Sequence, residues 1–388
     1  MITLIRNGQV FAPEPLGKKD ILILGGKIGG ILEPGEFKIE GLDIQIMDAS
    51  EKKVIPGLVD SHVHILGGGG EGGPATRAPE IKVEDIVSSG VTTVIGCLGT
   101  DAVTRHLESL LAKARGLDEE GITTFIFSGS YEIPVKTLTG SVRSDLVLID
   151  KVIGVGEIAI SDHRSSQPTF DEIARLAAEC WVGGMLGGKA GVVHFHLGDG
   201  QRRLELLFRL LRETEIPPPQ FIPTHVNRNP ELMEEAIKFT LEGGYIDLTA
   251  GPEPDPESPE LSVKEAVSFC IKKKAPLGQI TVSSDSNGSF PVFDKAGKLV
   301  GLTLAAGKDL FSNFQDLVQK NILTLEGAVR LFSTNPAAFY KLEQKGEIKA
   351  GKDADLILLD KDFNLSDSFA RGRRMMAEGK LLARGTFR

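Results

Sequence analysis

From Val54 to Asp285 the chain repeats one pattern: a short apolar run, a turn, then an amphipathic stretch. The apolar runs Val54–His64, Thr92–Cys97, Thr123–Ser128, Val152–Ile160, Gly191–His196, Gln220–His225, Tyr245–Ala250 and Gln279–Asp285 read as strands. Near-continuous apolar character over such lengths suits parallel strands covered on both faces. Between them, segments such as Leu204–Glu213 and Glu231–Leu241 place apolar residues three and four apart, the spacing of one helix face. Eight strands alternating with helices is the count of a TIM-like (β/α)8 barrel, an α/β fold whose chemistry sits at the C-terminal ends of its strands. Leu302–Gln319 and Thr324–Phe332 read as further helices, the second ended by Ser333-Thr334-Asn335-Pro336.

The two ends of the chain read differently. Residues 1–55 form short alternating strands, ITLIRNGQVFA, DILILGGKIGGIL with Gly25-Gly26 as a hairpin turn, and DIQIMDAS. Too few strands are present there to close a sheet well, and the same alternation returns in Asp353–Asp360 and Arg371–Leu382. The economical division is a small β-sandwich domain made from both termini, 1–55 plus 345–388, with the barrel, 56–344, inserted in it.

The polar residues that interrupt the apolar runs fall at strand ends. His62 and His64, two apart on an extended backbone, point to one face. Strand four carries Glu157, strands five and six end in His196 and His225, and strand eight ends in Asp285. Four of the seven histidines therefore sit at the ends of three strands, beside two carboxylates. Histidine and carboxylate donors without thiolate suit zinc or another borderline divalent ion in an open catalytic site. Of the other histidines, His106 reads as solvated, His163 as held by a structural hydrogen bond, and His194 as lying deeper in the barrel than His196.

Composition narrows the partners. A net charge of -9 argues against a nucleic-acid partner, which requires a basic face, and none is visible in the sequence. The start MITLIRNGQV carries no apolar signal segment and no run has the length of a membrane span, so a cytoplasmic protein without membrane contact is expected. The three cysteines, without a CxxC, read as buried structural thiols. The glycines after His64 fit G-x-G-x-x-G by letter, but Pro74 and Ala75-Thr76-Arg77 follow in place of an apolar helix. That loop reads as backbone that approaches a ligand while Glu71 reaches it.

With these residues in place, the chain resembles the amidohydrolase superfamily and, within it, the isoaspartyl (β-aspartyl) dipeptidases. The resemblance rests on PGLVDSHVH (Pro56–His64), GGGGEGGPATR (Gly67–Arg77), LGTD (Leu98–Asp101), GSY (Gly129–Tyr131) and SDHR (Ser161–Arg164). FHLGD (Phe195–Asp199), PTHVNRN (Pro223–Asn229), SSDSNGS (Ser283–Ser289) and GEIKAGKDADLILLD (Gly346–Asp360) extend it over nearly the whole chain. It implies hydrolysis of a small zwitterionic dipeptide at two divalent cations, zinc first among them, in a homo-oligomer such as an octamer. His62, His64 and Asp285 would ligate one metal, His196 and His225 the other. Asp285 would move the proton of the attacking water and Tyr131 would polarise the scissile carbonyl. Glu71 would meet the substrate's α-amino group, Arg164, Arg228 and Ser289 its carboxylates, and Thr100 would line the pocket.

One position departs from that family. Strand four usually supplies a carbamylated lysine as the metal bridge, and here it supplies Glu157, already a carboxylate but several atoms shorter. Lys151 cannot replace it, lying six residues or roughly 20 Å down the strand. Other substrates for the same metal site are a cyclic amide, as in dihydroorotases and hydantoinases, or a purine, as in adenine deaminases. A non-catalytic scaffold would have lost ligand positions that are all filled in this chain.

Overall fold

The computed structural model describes residues 2–38, 41, 43–293 and 299–386; the remaining positions of the anticipated terminal and barrel segments lie outside them. Strands Leu58–Val63, Val91–Gly96, Thr123–Ser128, Val152–Ile160, Val192–Leu197 and Phe221–Thr224 form a six-stranded parallel sheet in sequence order. Ile246–Thr249 pairs in parallel with Ile280–Ser283. The sheet curls round on itself. Asp247 on the seventh strand accepts hydroxyl hydrogen bonds from Thr224 on the sixth and Ser283 on the eighth. Just past the eighth strand, Ser286 bridges Val63 in parallel and accepts from His64 N at 2.9 Å. Nearly every residue of these strands is buried, as their apolar runs require, and the result is an α/β TIM-like barrel.

Helices close the outside. Thr169 and Glu172 form a reciprocal capping box that starts Phe170–Gly187, and Asn229 caps the Leu232 N–H ahead of Pro230–Leu241. Among the described residues no helix is long and apolar enough to cross a membrane.

Strands from both ends of the chain form a single nine-stranded sheet. Its order is Lys380–Leu381, Arg373–Ala377, Leu365–Ala370, Leu356–Leu359, Lys53–Pro56, Ile2–Phe11, Pro15–Leu24 and Lys27–Leu32, with Ile44–Asp48 also paired to Ile2–Phe11. Ile5, Val10, Ile21, Val54, Leu356 and Phe369, from both termini, share one core beneath it.

Four readings of the sequence change. The run Val54–His64 is two strands, because a Cβ at Gly57 would lie 2.3–2.9 Å from the Thr92 side chain and the chain turns there from the terminal sheet into the barrel. The sixth and eighth strands end before their apolar runs do, since His225 and Asp285 take up left-handed backbone at φ 61° and 52°. Leu302–Leu304 is not helical: Leu299–Leu304 satisfies its backbone across a hairpin with Ser289–Phe293, and the helix starts at Lys308. Ser333-Thr334-Asn335-Pro336 stops nothing. Leu325–Val329 passes through a π turn, Arg330–Thr334, into the helix Asn335–Phe339, which holds Pro336 near its start, and the Leu331 carbonyl five residues back accepts from Thr281 Oγ1 at 3.2 Å in place of the N–H that proline lacks.

Lys345 joins the terminal sheet to the barrel. Its buried ammonium donates to Thr123 Oγ1 (2.6 Å) at the start of the third barrel strand and pairs with Asp355 (2.6 Å) and Asp353 (2.8 Å). Burial pushes the Asp355 carboxyl upward and Lys345 opposes that shift. Lys345→Met keeps the stem but strands a buried carboxylate, so it should cost about 3–5 kcal/mol. Urea unfolding checks this as a lower midpoint at unchanged slope; a loss within about 0.5 kcal/mol, as for an ordinary surface change, would contradict the role given to this pair.

Candidate active site

Residues from the first, fourth, fifth, sixth and eighth strands meet at one end of the barrel. His62 Nε2 lies 3.4 Å from Glu157 and 3.5 Å from Asp285, and His64 Nε2 lies 3.4 and 3.0 Å from the same carboxylates. His196 Nδ1 is 3.0 Å and His225 Nε2 is 3.7 Å from Glu157 Oε2. His62, His64, Glu157, His196 and His225 are buried, and Asp285, half-buried as a residue, turns a buried Oδ1 toward them. Three overlapping donor groups, His62-His64-Cys97-Glu157, His62-His225-Asp285 and Glu157-His196-His225, are each compact enough to hold a metal ion.

The donors fit a cation by two tests. His62 Nε2, His225 Nε2, Glu157 Oε1 and Asp285 Oδ1 are all buried without a hydrogen-bond partner; such lone pairs are costly unless something positive meets them. The electrostatics agree. Burial alone would raise the Glu157 carboxyl, but His62, His196 and His225 hold it well below the ordinary carboxylate range. Asp285 behaves alike, burial being outweighed by the His64 hydrogen bond and the charge of His62. Burial disfavours the charged form of His62, yet Cys97 and Glu157 push its pKa well above the usual histidine value. The cluster therefore draws positive charge, and divalent cations are the ions that histidine and carboxylate donors hold.

A second layer fixes the ligand rings, as such partners do at metal sites. His62 Nδ1 faces His194 Nε2 at 3.0 Å, and His194 Nδ1 faces the Tyr340 hydroxyl at 3.1 Å. His225 Nδ1 meets Thr249 Oγ1 at 2.6 Å, and His196 Nε2 meets Asp162 Oδ2 at 3.1 Å. The Tyr131 hydroxyl lies 2.8 Å from His196 Nδ1. Burial and the Glu157 charge hold its pKa well above the ordinary phenol value, so it keeps its proton.

Beside the cluster, Glu71 accepts from Thr100 Oγ1 (2.9 Å) and Ser289 Oγ (3.2 Å) and lies 3.5 Å from Arg164 Nη1. Arg164 also pairs with Asp162 at 2.8 Å and lies 3.1 Å from His196 Nε2, so it borders both groups. Arg228 stands apart, its Nε donating to the Leu197 carbonyl at 2.7 Å over the end of strand five. Lys151 pairs with Asp118, away from the donors.

The loop that carries Glu71 is held from below. Arg105, 5% exposed, donates to the carbonyls of Gly68 (2.7 Å), Gly69 (3.2 Å), Ala78 (3.3 Å) and Leu66 (3.4 Å). Asp101 binds Arg105 and Arg77 in turn, at 3.4 and 2.5 Å. Gly69, at φ 71° with the Thr76 carbonyl 2.5 Å from where a Cβ would stand, admits no side chain.

Several of these residues escaped the sequence reading. Cys97 is buried as read, and its Sγ also lies among the donors; a single thiol without a CxxC gives no sign of this, although its place at the end of strand two could have. Asp162 sits in the SDHR motif next to Arg164, and the two-residue spacing of the pair was its available signal. His194 was placed deeper than His196, and there it supports His62. His163, expected to be held by a hydrogen bond, is exposed. Nothing in the sequence marked Arg105.

Lone pairs converging in this way at the catalytic end of a barrel make the protein a metal-dependent hydrolase. The model of the amidohydrolase family matches residues 270–381. A β-aspartyl dipeptidase structure from Fervidobacterium islandicum AW-1, in complex with β-Asp-Leu, is 46% identical, covers 98% of this chain and 97% of its own, and aligns with a TM-score of 0.93. The chain belongs to the β-aspartyl dipeptidase family of the amidohydrolases. More distant likenesses show the fold alone: a dihydropyrimidinase from Brevibacillus agri NCHU1002 aligns with a TM-score of 0.69 at 17% identity over 99% of this chain and 97% of its own. An allantoinase from Salmonella newport is 23% identical over 92% of this chain and 86% of its own length.

Arg105→Met keeps much of the side chain's bulk and removes its hydrogen bonds to the glycine loop. Buried charge-assisted hydrogen bonds contribute about 1.5–3 kcal/mol. Amide exchange in 66–78 should therefore quicken by roughly 10–100-fold while the barrel strands exchange as before. Unchanged protection in that loop would show that it keeps its path without Arg105.

Proposed function

We propose that the substrate is a β-linked aspartyl dipeptide, hydrolysed at two divalent cations. The observation that carries this reading is Arg164, 3.5 Å from Glu71 and 3.1 Å from His196 Nε2, which joins the group of Glu71, Thr100 and Ser289 to the donor cluster. In β-Asp-X the scissile carbonyl hangs from the side chain, leaving a free α-amino group and α-carboxylate on one carbon and a second carboxylate on X. Glu71 matches the ammonium; Arg164, Arg228 and Ser289 match the anions, Arg by the bidentate geometry its fork allows. Thr100 lines the pocket and holds Glu71 in place.

In this reading His62, His64 and Asp285 would hold one cation and His196 and His225 the other, with Glu157 as a carboxylate donor within reach of both sets. Bound there, divalent cations lower the pKa of water towards neutrality and polarise a carbonyl. Tyr131, kept protonated, donates to the carbonyl oxygen as negative charge develops on it. Asp285 takes the proton of the attacking water and returns it to the leaving amine. Asp162, His194 and Thr249 keep the imidazoles in register for that work.

The finer architecture belongs to the same proposal: an eight-stranded (β/α)8 barrel over 56–344, inserted in a β-sandwich made from 1–55 and 345–388. So do zinc as the cation, a cytoplasmic location and a homo-oligomer such as an octamer. The likeness to allantoinase favours a cyclic amide as the second reading.

An α-linked Asp-X moves the free amine and carboxylate, so the charges of Glu71, Arg164 and Arg228 no longer all meet a partner. β-Asp-Leu should be cleaved at least ~100-fold better than α-Asp-Leu in kcat/KM, and Glu71→Gln should erase much of that preference. Comparable rates on both linkages, or turnover of a cyclic amide with no action on β-Asp-Leu, would refute the substrate. Asp285→Asn should retain at least one metal by elemental analysis and lose ~10²–10⁴-fold in kcat. Near-normal turnover with full metal would place the base elsewhere.

A further inference from the structure

Cys97 follows directly on the second barrel strand, Val91–Gly96, at the end where the donors converge. Its Sγ lies within 4.8 Å of ligand atoms of His62, His64 and Glu157. The polar contacts it makes within the protein are loose: 3.7 Å to the Val63 carbonyl and 3.8 Å to His64 Nδ1. The other two thiols differ. Cys180 and Cys270 lie on outer helices, and Cys180 donates to the Val192 carbonyl at 3.1 Å. Neither falls in a donor group among the described residues.

Charge gives Cys97 a reason to be there. Two dications bring four positive charges into a buried site, and Glu157 and Asp285 return two of them. A thiolate would supply a third negative charge from the protein itself, and a thiol that meets a cation gives up its proton.

We propose that Cys97 is a metal ligand, its thiolate joining His62, His64 and Glu157 and biasing the site towards borderline, thiophilic cations such as zinc and against hard ones such as magnesium. This rests on the metal site proposed above and names a donor that the six strand-end residues do not include.

Cobalt(II) tests it. Visible ligand-field bands report cobalt held by any donor set, whereas a near-ultraviolet sulfur-to-cobalt charge-transfer band requires a thiolate. Protein loaded with cobalt should show both. Cys97→Ser should keep the visible bands and lose the charge-transfer band, and its zinc affinity, measured against a competing chelator, should fall at least ~10-fold, since even partners behind the ligands are worth that much. The Cys180→Ala/Cys270→Ala double variant, in which Cys97 is the remaining thiol, should keep both bands, and it decides the matter if Cys97→Ser fails to fold. Visible bands without charge transfer in the unaltered protein, or a charge-transfer band that survives in Cys97→Ser, would overturn the assignment and leave the metal site standing. Absence of both bands together with no bound cobalt by elemental analysis would overturn the metal site and this ligand with it.

Discussion

Two carboxylates, Glu157 and Asp285, bring buried oxygens within 3.0–3.5 Å of the Nε2 atoms of His62 and His64. An isolated carboxylate cannot be carried into a protein interior without positive charge to meet it. The rest of the molecule can be understood as the framework for that encounter. Parallel strands carry each donor to one end of the barrel, and the apolar bodies of those strands are buried against helices, so the donors cannot retreat to solvent. Imidazole rings that would otherwise rotate are pinned from behind by His194, Thr249 and Asp162. A rigid barrel and a charge-hungry centre are thus one design: the barrel supplies the energy to bury groups that would not bury themselves.

What could be read from the chain follows from how local the information was. The His62/His64 pair was visible because a strand's period of two puts both rings on one face, and the alternation of apolar runs with amphipathic stretches gave the barrel-like order of elements. Boundaries were less visible where they depend on contacts across the fold. Gly57 breaks a continuous apolar run because Thr92, from a neighbouring strand, leaves no room for a side chain. Leu302–Leu304 carries no strong local preference and takes its conformation from its hairpin partner. Pro336 reads as a terminator and starts a helix instead, since only the preceding π turn determines which turn of helix it occupies.

The site was legible to the same degree. Donors at strand ends announce themselves by position, and Glu71 by the glycines around it. Asp162 and Cys97 belong to the same end of the barrel but could be taken for an ordinary loop carboxylate and an ordinary core thiol. Rules about cysteine spacing describe sites built from one stretch of chain, whereas a barrel assembles its site from residues contributed one strand at a time.

The grip of Arg105 on the glycine loop has a consequence for how such an enzyme can change. Its guanidinium holds main-chain carbonyls of Gly68, Gly69, Ala78 and Leu66, and none of the loop's side chains. The path of the loop is therefore insured independently of the residues it displays. Position 71 can be exchanged, and the charge it offers reversed or removed, without loosening the anchor beneath it. A lineage could in this way sample new substrates by single substitutions while the scaffold that aims them is inherited unaltered.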